Sequence, residues 1–140
     1  MPRLDIDGGC HCGKIRYEAN VDTDNVIICH CTDCQAMSGG PYRANVVVKA
    51  ENFRLTGEPK TYIKTTGDSG IPRRLAFCPD CGAGLFSTSV EKPTRYNLRI
   101  GGVTQRAELI PRMQGYCRSA LPWAYDLRDI PKVPEPPRQA

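Results

Sequence analysis

The sequence predicts a mainly β protein made of short strands, and three observations carry that expectation. Short stretches alternate apolar and polar residues, no segment sustains a helical stripe, and 13 glycines with 12 prolines punctuate a chain of 140 residues. Short strands spaced regularly between turn signals are the pattern of an all-β sandwich or a partly open barrel-like fold.

The strands follow in chain order. Lys14–Glu18 places Ile15 and Tyr17 on one face, and Val26–Cys29 is a short apolar run. The segment after Cys31 is the one place where a helical turn fits. Arg43–Lys49 is β-branched through Val46, Val47 and Val48, which suits a pleated, half-buried strand. Asn52–Leu55 stops at Thr56-Gly57, and Thr61–Lys64 stops before Gly67-Asp68. Arg74–Cys78 and Leu85–Ser89 flank the turn from Gly82 to Gly84. Tyr96–Ile100 aligns Tyr96, Leu98 and Ile100 before Gly101-Gly102. Pro131–Pro137 contains four prolines and reads as an extended, polyproline-like tail. The folded unit is therefore expected over residues 1–130 and the tail over 131–140.

Composition narrows the function. A mass of 15.5 kDa is the size of one domain, and 40% hydrophobic with 24% charged residues is ordinary for a globular chain. The net charge of +4 is spread along the sequence without a basic block, so no nucleic-acid partner is expected. No apolar run approaches the roughly 18 residues of a membrane span, so no membrane partner is expected either. Acidic residues in Met1–Gly9 stand where an export signal needs an apolar core, which points to a cytoplasmic location. The unusual figure is 8 cysteines against 2 histidines.

Seven of the 8 cysteines form three groups: Cys10-His11-Cys12, Cys29-His30-Cys31-Thr32-Asp33-Cys34, and Cys78-Pro79-Asp80-Cys81-Gly82. In a reducing compartment, clustered cysteines hold metal or do chemistry more often than they form disulfides. Cys-x-Cys on an extended chain sends both thiols to one face, and Cys-x-x-Cys before glycine lets two thiolates converge on one cation. Sulfur-only ligation suits zinc or an iron–sulfur cluster; a Rieske centre would need paired histidine ligands. His11 and His30 each lie between two cysteines, so they are expected to point away from whatever their neighbours hold. Structural zinc sites take four protein ligands and catalytic ones three, and seven is four plus three. Spacing allows Cys29, Cys31 and Cys34 to form the open site, with Cys10, Cys12, Cys78 and Cys81 closing the other. It equally allows a zinc ribbon of Cys31, Cys34, Cys78 and Cys81.

These motifs, from Gly8-Gly9-Cys10-His11-Cys12-Gly13-Lys14-Ile15-Arg16-Tyr17 through Phe77-Cys78-Pro79-Asp80-Cys81-Gly82, closely resemble the glutathione-dependent formaldehyde-activating enzyme family, also called the Gfa or centromere-protein-V-like domain. The resemblance runs from about Gly8 to about Leu127 and extends to Ser38-Gly39, to Phe53-Arg54-Leu55-Thr56-Gly57 and to Pro122-Trp123. It implies a zinc-binding β-tent fold of short antiparallel strands with two zincs per chain. Cys10, Cys12, Cys78 and Cys81 would hold the structural zinc; Cys29, Cys31 and Cys34 would hold the catalytic one, with an open position. The implied activity is that of a carbon–sulfur lyase on a glutathione or similar thiol adduct, like S-hydroxymethylglutathione synthase, with the thiol as its small-molecule partner. Arg43, Arg73, Arg74 and Arg99 are candidates to clamp the two glutathione carboxylates. Gln114 stands where that family commonly has histidine.

Two rival readings accompany this one. A non-catalytic zinc module would use its sheet to bind a protein partner. Alternatively, Tyr116-Cys117-Arg118-Ser119-Ala120-Leu121 loosely resembles the active-site segment of B-type methionine sulfoxide reductases, with Cys117 as nucleophile and the zinc ribbon as the structural site. Outside that reading Cys117 is expected to be a half-buried structural thiol.

Overall fold

Ten strands and one short α-helix organise residues 2–137, the part of the chain described by the computed structural model. Strands β1 (Arg3–Gly9), β2 (Arg16–Asp22) and β5 (Phe53–Thr56) form one antiparallel sheet in the order β1-β2-β5. The second sheet adds β3 (Val26–Cys29), β4 (Arg43–Lys49), β6 (Lys60–Lys64), β7 (Arg73–Phe77), β8 (Gly84–Ser89), β9 (Arg95–Arg99) and β10 (Met113–Gly115), ordered β10-β3-β4-β9-β8-β7-β6. The expected mainly β class holds. One pairing departs from the all-antiparallel expectation: β10 runs parallel to β3.

Alternation explains how the sheets pack. Ile6 on β1 and Tyr17, Ala19 and Val21 on β2 point inward against Val46 and Val48 of β4, Leu98 of β9 and Phe86 of β8. Phe53, Phe86 and Tyr96 meet at ring centroid separations of 4.9 to 5.8 Å and fill the gap between the sheets. Strand β2 begins later and runs further than its periodicity suggested, because Ala19 and Val21 continue the buried face begun by Tyr17. Strand β1 lies outside the strands expected from the sequence. It pairs with β2 along its whole length and exposes Asp5 while burying Ile6 and Gly8.

Helix α1 (Thr32–Ser38) is the expected turn after Cys31. Cys31 is its N-cap, accepting a hydrogen bond from the Cys34 N–H, and Gly39 closes it in the left-handed conformation (φ +70°). No helix of the described residues is long and apolar enough to cross a membrane. Residues 131–137 are exposed and outside any strand or helix; Met1 and residues 138–140 of the expected tail lie outside the described residues.

Leu98 is fully buried at the centre of the larger sheet, between β4 and β8. Leu98→Ala is expected to cost about 2–5 kcal/mol, read as a lower urea midpoint with an unchanged slope.

Candidate metal and thiol site

Two turns bring the first and third cysteine motifs together. After β1 the chain doubles back so tightly that a Cβ on Gly9 would lie 2.2 Å from the Ile15 carbonyl oxygen. The Cys10 N–H then reaches the Ile15 carbonyl at 3.0 Å, and the Ile15 N–H donates to Cys10 Sγ at 3.2 Å. The β7–β8 turn is built similarly. Cys78 N–H donates to the Ala83 carbonyl at 3.0 Å, Cys81 N–H approaches Cys78 Sγ at 3.5 Å, and Gly82 adopts φ +76°. That left-handed residue is the one the Cys-x-x-Cys-Gly pattern called for.

The thiols of Cys10, Cys12, Cys78 and Cys81 all lie within 4.8 Å of one another. Cys12 Sγ is 3.7 Å from both Cys10 Sγ and Cys78 Sγ. A tetrahedral zinc with Zn–S bonds of about 2.3 Å holds its sulfurs about 3.8 Å apart, which the two Cys12 contacts match. Cys78 and Cys10 are buried beneath the turns, and Cys12 is exposed. All eight cysteines are free. Within the group the thiols divide into lower and higher pKa. The Ala83 N–H and then the Cys12 N–H hold Cys81 down to about 6. The Lys14 N–H lowers Cys12, but desolvation and its sharing of hydrogen bonds with Cys10, Cys78 and Cys81 outweigh this and push it up to about 11.

The middle motif forms a second group on its own. Cys29 ends β3, Cys31 caps α1 and Cys34 sits in its first turn, with all three thiols within 4.8 Å. Cys34 N–H donates to Cys31 Sγ at 3.3 Å, the same local contact that joins Cys81 to Cys78. A hydrogen bond from the Cys34 thiol holds Cys29 down to about 5 against the effect of burial, and the same contact pushes Cys34 far up. The four-plus-three division is thus the one the structure assembles. The ribbon of Cys31, Cys34, Cys78 and Cys81 is not brought together.

The three-thiol group opens into a cavity of about 210 Å³, walled by Lys64, Thr66, Asp68, Tyr116, Arg118 and Ser119. Lys64 Nζ lies 3.1 Å from Asp33, Thr66 Oγ1 donates to the same carboxylate at 2.6 Å, and Arg118 pairs with Asp68 at 2.6 Å. Thr66 first and Lys64 second hold the Asp33 carboxyl below the usual range. No sequence pattern joined these residues into one wall, because the end of β6 with the loop after it and the segment after β10 supply them separately. Tyr116 is in the left-handed region (φ +54°), uncommon for a bulky side chain. Tyr116 and Arg118 wall the thiol cavity, whereas Cys117 between them lines a separate open cleft with Tyr42, Gln114 and Tyr125. Cys117 is exposed rather than half-buried, and it stands apart from both thiol groups.

Neither histidine joins a thiol group. His11 is exposed, and His30 is 1% exposed with Nε2 2.7 Å from Gln114 Oε1. Gln114 therefore has a structural partner: β10 lies beside β3 so that its amide reaches the buried imidazole. Of the four arginines, Arg43, Arg73 and Arg99 share the sheet face that carries Cys29; Arg74 faces the other way and donates to the Val90 carbonyl at 3.0 Å.

Residues 5–119 match the sequence profile of the family described as glutathione-dependent formaldehyde-activating enzyme. The chain belongs to that family. Its fold is also similar to the crystal structure of a Rhodobacter sphaeroides protein, with a TM-score of 0.56 and 17% sequence identity over 77% of this chain and 98% of that one. The formaldehyde-activating family is an enzyme family acting with glutathione-type thiols. Among the described residues, the two cysteine groups are clusters able to hold metal ions.

Gln114→Leu leaves the Nε2–H of a buried imidazole without its acceptor. A loss of about 1–3 kcal/mol in folding stability is expected from urea unfolding, with no loss of bound metal.

Proposed function

We propose that this protein is a zinc-dependent carbon–sulfur lyase of the S-hydroxymethylglutathione synthase type. The observation that carries the reading is the unequal division of seven thiols. Four converge between two turns, enough ligands to close a structural zinc site, while three converge beside a cavity, so a zinc they held would have room for a substrate ligand. Cys10, Cys12, Cys78 and Cys81 would hold the structural ion; Cys29, Cys31 and Cys34 would hold the second.

Zinc bound by the second group supplies Lewis acidity that lowers the pKa of an incoming thiol. The remaining work falls to the chain. Cys31 and Cys34 are fixed by the helix they begin, and the Cys34 N–H to Cys31 contact keeps their sulfurs on one side of its first turn. Lys64, held by Asp33, and Arg118, held by Asp68, form a polar rim around the opening. In the forward direction the thiol sulfur bonds to the carbonyl carbon of formaldehyde, the C=O π pair moves to oxygen, and the thiol proton ends on that oxygen. The reverse breaks the carbon–sulfur bond and regenerates both compounds.

The test is formation of S-hydroxymethylglutathione from glutathione and ¹³C-formaldehyde, followed by NMR exchange, alongside metal analysis. Wild-type protein is expected to carry two zincs per chain and to exchange the adduct faster than buffer. Cys29→Ser should abolish the acceleration, lose one zinc and retain the fold, whereas Cys78→Ser should lose the structural ion and unfold the domain at 37 °C. Exchange no faster than in buffer with both zincs bound would overturn the lyase reading and leave a non-catalytic zinc module.

A further inference from the structure

The chain from Ile110 to Pro137 is held to the rest of the fold by hydrogen bonds and ion pairs, not by apolar packing. The Arg112 N–H donates to the Val26 carbonyl at 2.8 Å, the His30 N–H donates to the Gly115 carbonyl at 3.0 Å, and β10 pairs with β3 at the border of the larger sheet. Beyond β10 the backbone makes turns of its own, with the Ala124 N–H on the Leu121 carbonyl and the Ile130 N–H on that of Leu127. Yet no residue from Ile110 to Pro137 is buried. Eight of the twelve large apolar side chains that the described residues leave exposed lie in this stretch, with Trp123 at 51%, Tyr125 at 54% and Met113 at 64% among them. Pro111, Met113, Ala124 and Tyr125 line one open cleft of about 620 Å³ together with Tyr42, which joins β10 and the turns after it into one surface.

Area and charge narrow what covers this surface. Eight large side chains at about half exposure leave roughly 800 Å², the share each partner contributes to a standard protein–protein interface. The charges of the stretch nearly cancel. Arg112 pairs with Asp24 at 3.7 Å, Arg118 with Asp68 at 2.6 Å and Arg128 with Asp126 at 2.7 Å, and beside these pairs stand only Lys132, Asp129 and Glu135. A surface without a dominant sign selects neither an acidic nor a basic partner. Across a two-fold axis, by contrast, each patch meets its own copy and any excess charge would face itself, so a neutral apolar patch suits that arrangement. The same stretch also carries an occupant for the cleft. Pro131–Pro137 has four prolines, is exposed throughout and lies outside any strand or helix. Proline-rich segments are stiff, and they dock on aromatic-lined grooves with little loss of chain entropy. Tyr42 and Tyr125 supply such rings, their centroids 5.4 and 5.5 Å from that of buried His30. Only residues 126–130 separate Tyr125 from Pro131, so the tail must reverse within them to reach its own cleft, whereas extended it meets the cleft of a copy across the axis.

We propose that a second copy of this chain docks on this surface, in a two-fold dimer where the Pro131–Pro137 tail of each chain lies in the Tyr42–Tyr125 cleft of the other. The dimer is independent of the lyase reading, since none of the seven clustered thiols lines the cleft. Docking covers Cys117, the thiol that does line it and that a single copy leaves exposed.

Sedimentation equilibrium of the full chain as purified, at about 100 μM, is expected to give twice the 15.5 kDa chain mass, since interfaces of this size hold at micromolar concentration or below. Val133→Asp and Tyr125→Ser should each weaken the dimer at least about tenfold while keeping the metal content of the wild type. Alkylation of Cys117 by iodoacetamide, followed by peptide mass, should slow by a similar factor as the wild-type concentration rises through the dissociation constant, and stay fast in Val133→Asp. If Tyr125→Ser loosens the rings around His30, Val133→Asp on the exposed tail carries the test. A wild-type monomer at this concentration overturns the dimer, as does a dimer that both variants leave unchanged. A monomer whose Cys117 is shielded until Val133→Asp opens it puts the tail in its own cleft, and a monomer with Cys117 open leaves the surface to a different partner. Either result overturns docking of a second copy.

Discussion

Cys12 and Cys78 stand 66 residues apart in the chain, and their thiols meet at 3.7 Å. That approach joins the turn leaving β1 to the turn leaving β7, and so fixes the smaller sheet against the larger at one end. The entropy lost in closing a loop of that length grows only slowly with length, but it must be offset by something that holds the ends together. The exposed ion pair of Lys14 and Asp80, at 3.2 Å across the same two turns, is too solvated to do so. Four thiols within 4.8 Å of one another could supply it by holding a metal ion. Coordination energy in such sites is folding energy, and here it would act at the seam between the sheets.

The other end of the molecule follows from this seam. With β1 and β2 anchored, the alternation of Ile6, Tyr17, Ala19 and Val21 buries one face of the smaller sheet on Val46, Val48 and Leu98. The opposite face of the larger sheet is then free to carry polar side chains. Cys29 and the arginines lie there by parity, because a strand that sends Val46 and Leu98 inward must send Asn45, Asn97 and Arg99 outward. The core pattern and the polar row beside the three thiols are two readings of one register.

Parts of this were legible in the sequence because they are local. A Cys-x-x-Cys pair and its glycine specify a turn by themselves, and β-branched Val46 to Val48 specify a strand. The four-plus-three division was only one of two partitions that spacing allowed. Choosing between them required the long-range pairing of Cys10 and Cys12 with Cys78 and Cys81, which no spacing records. Strand β1 is only partly legible: Leu4 and Ile6 alternate with Asp5 and Asp7, but aspartate and glycine have poor strand propensity, and only the partner β2 makes the small size of Gly8 and Gly9 an advantage. A Cβ on Gly8 would lie 2.2 Å from the Gly102 carbonyl oxygen, so the glycine is there for close backbone approach. Strand β10 carries no periodicity in its three residues, and its place beside β3 depends on backbone pairing and on the Gln114–His30 contact. The cavity wall was illegible for the same reason: Lys64 at the end of β6 with Thr66 and Asp68 of the loop after it form one side, and Tyr116 and Arg118 after β10 the other.

The two thiol groups differ in what surrounds them, and that difference has a consequence for how the site is specified. The four-thiol group is made wholly of two turns whose backbone hydrogen bonds end on its own sulfurs and neighbouring carbonyls, so its geometry is internal to those turns. The three-thiol group is fixed on one side by β3 and α1 but is open on the other, where Arg118 and Asp68 bridge two loops across an exposed pair. Gln35 ties that bridge back to the helix through the carbonyls of His30 at 2.8 Å and Ser119 at 2.9 Å. Substitutions in the two loops can therefore reshape the opening without disturbing the sulfurs beneath it. Substitution of Gln35 cannot, since it connects the cavity wall to the helix that presents Cys31 and Cys34. Rigid thiols under an adjustable rim are what a site needs if its bond chemistry is constant and its recognition of the substrate is not.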